Sequence, residues 1–215
     1  MTRKVDFYHR PGFTLVELIV VIGIIALLSA IFYSVAGIAK QKANTARSTS
    51  NLRQLGNATN LYAIDHQYDL PMVSNSGNNY ADPPWYMGLA EYIGAIPKPG
   101  SKIAFQEGVE NILYNPASEE ENKIINFAPS ISCAPNPSAR PAINVLKTTQ
   151  VIDPAKKAWL ITATNSYYYN PYNALGLEYP HNGQANVLYF DGSVGLVSKA
   201  EVIERGRNLL DPRAQ

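Results

Sequence analysis

The chain has 215 residues, room for one domain or two small ones. Lys and Arg number 18 against 17 Asp and Glu, and charged residues are 16% of the chain, below the roughly 25% usual for soluble domains. A nucleic-acid or other polyanion binder held by bulk electrostatics is thereby excluded, and the single Cys133 excludes an internal disulfide or a Cys-based zinc knuckle.

Most of the missing charge traces to one place. From Leu18 to Ala39, 22 residues carry no acidic or basic side chain, and Leu, Ile, Val, Ala and Phe dominate. A helix rises about 1.5 Å per residue, so this run reaches about 33 Å, enough for a hydrocarbon core of about 30 Å. A buried soluble helix seldom runs six turns without a polar face, so a membrane-spanning helix is expected. A polar leader with Arg3, Lys4 and Arg10 precedes it, and Glu17 stands inside its N-terminal edge. A lone carboxylate there either sits at the headgroup level, favoured by the helix dipole, or needs a cationic partner.

The stretch Gly12-Phe13-Thr14-Leu15-Val16-Glu17-Leu18, followed by the long apolar run, resembles the processing site of type IV pilins and type II secretion pseudopilins. That resemblance implies cleavage after Gly12 by a prepilin peptidase and N-methylation of the new amine on Phe13. It also implies a role for Glu17 in subunit assembly: in that family the carboxylate pairs with a neighbouring subunit's terminal ammonium and sets axial register. Such a pair in low dielectric offsets much of the desolvation of both groups, and losing one partner is costly. The rival reading is a secretory signal peptide cut after Ser34-Val35-Ala36. Its apolar region would exceed the usual 7–15 residues, and Glu17 would interrupt it. Lys and Arg flank the run on both sides, so orientation rests on the resemblance, which puts the leader in the cytoplasm.

Residues 40–64 contain no proline, and Ala39, Ala43, Ala46, Leu52, Leu55, Ala58 and Tyr62 recur at three- and four-residue steps. One helix from about Phe13 to Asp65 is predicted, weakened slightly by Gly37 and Gly56. Many pilins carry a proline in the apolar segment. Here that region reads Ala30-Ile31-Phe32-Tyr33-Ser34.

Past residue 66 the character changes. Prolines and Asn75-Ser76-Gly77-Asn78-Asn79 mark loops, and a short helix from Pro84 to Tyr92 is predicted with Asp82 near its N-cap. Ile112-Leu113-Tyr114 and residues 123–127 read as short strands, and residues 128–141 as loop. Residues 157–163, Lys-Ala-Trp-Leu-Ile-Thr-Ala, read as a strand. Residues 185–190 and 193–197 read as a hairpin around Asp191-Gly192, a pair suited to a type I′ turn with both φ angles positive. Three antiparallel strands laid on the apolar face of the long helix give an α+β fold, a pilin-like lollipop with a small sheet in its head.

His181-Asn182-Gly183, with Ala185 to Val194 ending in Asp191-Gly192-Ser193, resembles the C-terminal hallmark of a prepilin-processing-associated family. Residues 151–159 resemble the segment before that family's penultimate strand. His181 and Asp191, with Glu178 nearby, invite a catalytic or metal reading. A His and an Asp are too few ligands for zinc, which wants four. Oxygen ligands for calcium are available in Asp191, Asn182 and Glu178, but without EF-hand-like spacing. Structural roles are therefore expected: Asp191-Gly192 as a turn, and His181 bonding a loop onto the sheet. No cofactor is expected. Neither a Gly-x-Ser-x-Gly elbow nor a glycine-rich phosphate loop occurs, so an enzyme is not expected.

Tyr167-Tyr168-Tyr169-Asn170-Pro171-Tyr172 offers large amphipathic rings at low rotamer cost, either as a ligand surface or as cover for the head's core. Glu119-Glu120-Glu121 reads as a solvated loop. The organisation expected is a leader at 1–12, a membrane half of the helix at 13–39, an amphipathic half at 40–66 and an extracytoplasmic head at 67–215. The partners expected are the prepilin peptidase, other pilin or pseudopilin subunits and the bacterial inner membrane, with the head in the periplasm or outside the cell. The alternative is a membrane-anchored binding protein whose tyrosine loop holds a glycan or peptide.

Overall fold

The computed structural model describes residues 13–73, 84–99, 105, 110–118, 126–133, 145–164 and 176–214. Helix α1 runs without a break from Leu15 to Asp65, as the sequence predicts, with no proline to remove a backbone donor. The chain divides into two units, Met1–Lys40 and Gln41–Gln215.

In the first unit, every described side chain from Phe13 to Lys40 is exposed, including Leu18, Ile24, Leu27 and Phe32. An 18-residue window of α1 has a mean hydropathy of 2.9 and no part of it is buried inside the protein. By length and composition it is a candidate membrane span.

The second unit is built on a four-stranded antiparallel sheet of β1 (Phe127–Pro129), β2 (Ala158–Thr162), β3 (Gln184–Tyr189) and β4 (Val194–Ser198), in that spatial order. One face of the sheet packs with the last turns of α1. There Leu52, Leu55 and Ala58 join Phe127, Trp159, Leu160 and Leu188, all at most 2% exposed. Trp159 and Leu160 are neighbours in sequence yet share this core. The pairs Ala158↔Tyr189 and Leu160↔Leu188 set two steps of β2 against one of β3, a bulge that breaks the alternation. The indole N–H of Trp159 donates to Thr59 Oγ1 at 3.0 Å, so its polar edge is satisfied inside the core. Gly56 sits against β3: a Cβ there would meet Leu188 Cδ1 at 3.0 Å. The glycine that weakens the helix pattern is what admits the strand.

The other face of the sheet carries a second core. Ala128, Ile161, Ala185, Val187 and Val197 pack with Val202 of α4 (Lys199–Arg205) and with Leu209 and Leu210 of α5 (Arg207–Leu210). The expectation of three strands on one helix is therefore too small: β1 adds an edge, and a C-terminal helix pair covers the far face. That pair had a readable start, the capping box Ser198-x-x-Glu201. Ser198 Oγ accepts from Glu201 N–H at 3.2 Å and Glu201 Oε2 from Ser198 N–H at 2.7 Å.

Four further expectations change. The segment read as a strand at Ile112-Leu113-Tyr114 is a helical turn, α3 (Glu110–Leu113), because three apolar residues are too few for periodicity to distinguish the two. Of residues 123–127, the described part begins at 126, where the strand β1 takes Phe127 onward. Within the stretch read as loop, Ala128 and Pro129 belong to β1 and Ile131–Cys133 to a 3-10 turn; residues 134–141 lie outside the described residues. The helix after Pro84 is a single turn, α2 (Trp85–Gly88), followed by buried Leu89 and Ala90 and the 3-10 turn Glu91–Ile93. Asp82, offered as its cap, and Glu119–Glu121 lie outside the described residues.

Candidate functional site

The cleavage partner Gly12 lies outside the described residues; Phe13 is 77% exposed. Thr14 and Glu17 form a reciprocal cap on α1. Glu17 Oε2 accepts from Thr14 N–H at 2.8 Å and from Thr14 Oγ1 at 2.8 Å, while Thr14 Oγ1 accepts from Glu17 N–H at 3.2 Å. Two of the helix's orphan N–H groups are satisfied this way. Sequence reasoning assigned Glu17 a subunit role and missed its local one, although Ser/Thr-x-x-Glu before an apolar run is a readable signature.

His181 is 3% exposed and belongs to a buried polar cluster between α1 and the sheet. Thr45 donates its hydroxyl to the Gln41 carbonyl at 3.0 Å, so the 2.9 Å contact between Thr45 Oγ1 and His181 Nδ1 has the ring donating. Nε2 is then the acceptor, matched by Asn115 Nδ2 at 3.2 Å. The Asn115 amide is oriented by Ser48 Oγ and Ala117 N–H, at 2.5 and 3.0 Å from its oxygen, and its Nδ2 also reaches Thr162 Oγ1 at 3.3 Å. The ring thus ties helix, sheet and the 115–118 turn together as a neutral tautomer. Burial pushes its pKa below the ordinary 6.5, and the neighbouring Asn186 side chain opposes that. Among the described residues, Asn186 Oδ1 is the buried side-chain polar atom without a partner.

Asp191 does not join His181. Its Oδ1 accepts from Ser193 N–H at 2.9 Å and Ser193 Oγ at 2.6 Å, holding the hairpin end. Only Gly192 of the Asp-Gly pair has a positive φ, 85°, and its N–H donates to the Tyr189 carbonyl at 3.0 Å. The loop is therefore a three-residue turn closed by a left-handed glycine, and the type I′ expectation is corrected. The Asp191 side chain, bonded forward to Ser193, favours that form. Glu178 Oε2 accepts from Ser118 Oγ at 2.8 Å. Its N–H bonds Thr162 at one end of β2, whereas Phe190, beside Asp191, bonds Lys157 at the other, about 16 Å away along the strand. The two carboxylates offered for calcium are thus at opposite ends, and among the described residues no group of three or more His, Cys, Asp or Glu could hold a metal. Tyr167, Tyr168, Tyr169 and Tyr172 lie outside the described residues.

Comparison with known families gives a match to the prokaryotic N-terminal methylation motif over residues 9–33. The matched stretch contains Gly12, Phe13, Thr14, Glu17 and the first 16 of the 22 residues of the apolar run; it does not extend to His181 or Asp191. Searches of curated proteins and of solved structures give no match. The motif, with a long N-terminal helix followed by an antiparallel sheet, supports a prepilin-type, type IV pilin-like protein, and one apolar N-terminal helix fits a single-pass membrane anchor.

Proposed function

We propose that this chain is a pilin-like pseudopilin, a structural assembly subunit rather than a catalyst. A prepilin peptidase cuts between Gly12 and Phe13, the Phe13 amine is methylated, and the subunit assembles through its N-terminal helix into a pilus or pseudopilus. The export machine is of type II secretion or type IV pilus-like class. The observation that carries this reading is the methylation motif at residues 9–33, which spans the cleavage site and Glu17. Two others support it. The described side chains from Phe13 to Lys40 find no cover within the protein, and 22 uncharged residues demand lipid or neighbouring helices. Glu17 is pre-oriented at the helix mouth by Thr14. On this reading residues 1–12 are the leader, 13–39 the membrane half of the helix, 40–66 its amphipathic half and 67–215 an extracytoplasmic head.

Mass spectrometry of the mature N-terminus tests the proposal directly. N-methyl-Phe13 is the expected first residue; a chain beginning at Met1 or at Gly37 overturns it. Assembly is tested by Glu17→Ala, which leaves the head folded and is expected to reduce cross-linked oligomers in membranes to background. Unchanged oligomers would remove Glu17 from the assembly mechanism.

A further inference from the structure

At the C-terminal end of the second unit lies a cavity of about 330 Å³, lined by Ile152, Asp153, Lys156, Lys157, Arg205 and Asn208. That volume is at the low end of the roughly 300–1,000 Å³ typical of small-molecule sites. Lys157 is the unusual member, a cation only 5% exposed. Its ammonium donates to the carbonyls of Ala214 at 2.8 Å and Asp211 at 3.3 Å. Among the described residues no carboxylate stands within ion-pair distance of it. The Asp211 carboxylate, the obvious counter-ion, is taken by Arg207 at 3.2 Å and the Arg213 N–H at 3.0 Å. Asp211 and Asp153 offset part of this buried ammonium's desolvation cost without contacting it, and among the described residues one of its three donors is still unused.

The rest of the wall adds to the positive side. Arg205 is held in place by the Lys156 carbonyl at 3.0 Å and by the Tyr189 ring, 6.0 Å from centroid to guanidinium carbon. Lys156 reaches Asp153 at 3.4 Å with both side chains largely in water, a pairing worth little. Three cations thus face one carboxylate around the cavity, and exposed Ile152 supplies an apolar wall.

We propose that this cavity binds a small carboxylate, its oxygens toward Lys157 and Arg205 and its carbon stem on Ile152. A monoanion fits better than a phosphate dianion. Asp211 and Asp153 already offset part of the charge on Lys157, Asp153 repels a second negative charge, and Ile152 offers a surface that only a carbon stem uses. The same chemistry is presented by a free organic acid and by an acidic side chain on a peptide.

The test uses the full chain in detergent. Isothermal titration is run with propionate, with its neutral isostere propionamide, and with a capped single-glutamate peptide. Saturable binding of propionate and none of propionamide is expected. Arg205→Gln is expected to weaken it about tenfold, through loss of a charge-assisted hydrogen bond, and Asp153→Asn to strengthen it. Both positions are at the rim, so the variants keep the proposal falsifiable even where Lys157→Met fails to fold. Binding of propionate but not the peptide assigns a free acid, and equal binding of the two assigns a side chain. Absence of saturable binding, or binding indifferent to both Arg205→Gln and Asp153→Asn, overturns the site.

Discussion

Helix α1 is one piece of secondary structure in two environments. From Leu15 to Lys40 its described side chains are exposed; from Ser48 to Ala63 it buries Leu52, Leu55 and Ala58 against the sheet. The difference shows that hydrophobicity and burial part company along this chain. The more apolar half is the uncovered one, and the more polar half, with its few leucines correctly spaced, nucleates the core. An uncovered stripe of that size is stable only where another phase or another subunit removes it from water.

The contrast can be broken most forcefully with paired leucines. Leu55→Ala leaves a void among residues that are fully buried and should cost about 2–5 kcal/mol in denaturant unfolding of the second unit in detergent. Leu27→Ala, at a position 65% exposed, should leave that transition where it is. Equal effects would mean that the first unit is covered by the protein itself.

Glycines sharpen the same comparison. Gly56→Ala gains helix propensity of about 1 kcal/mol but drives a Cβ to within 3.0 Å of Leu188, so a net loss of about 1 kcal/mol is expected. Gly23→Ala and Gly37→Ala meet nothing within 4 Å and should leave the unfolding midpoint of the second unit unchanged.

A pH titration probes the polar seam between α1 and the sheet. Below its ordinary pKa of 6.5 the unfolded His181 binds a proton that the folded ring accepts only at lower pH. Unfolding therefore takes up protons, and stability falls as the pH drops through the window just beneath 6.5. His181→Gln should flatten that slope in denaturant midpoints collected from pH 7.5 to 5.5; an unchanged slope would show that the ring does not titrate as its burial demands.

The smallest effect belongs to the helix mouth. Thr14→Val removes one half of the cap and should fray the first turn by about 0.5 kcal/mol, seen as faster amide exchange at Leu15 to Glu17 with no change in the second unit.

Much of the fold was legible because long patterns average out local ambiguity. The 51-residue helix is a long apolar and then periodic run, β2 a run of apolar and β-favouring residues, and the hairpin carries a turn signal. Shorter pieces were not: Ile112-Leu113-Tyr114 reads as well as strand as it does as helix, and only its packing decides. The candidate site divides along the same line. Phe13 and Glu17 are found by a contiguous motif, whereas the partners of His181 lie as far as 136 residues away in sequence, on Thr45, with Asn115 from the turn between α3 and β1. No local signal announces such a cluster. In the sequence Lys157 is simply the first residue of a strand; its burial under Asp211 and Ala214 exists only once the C-terminal segment folds back over it.

By itself the sequence determined the apolar helix, its processing motif and the α+β class, because each is written in neighbouring residues. Tertiary structure alone decided that β1 joins the sheet as a fourth strand, which face α4 and α5 cover, and which charges end up away from water. Those outcomes depend on contacts between distant segments, and the cost of an unpaired group is fixed only by what finally surrounds it.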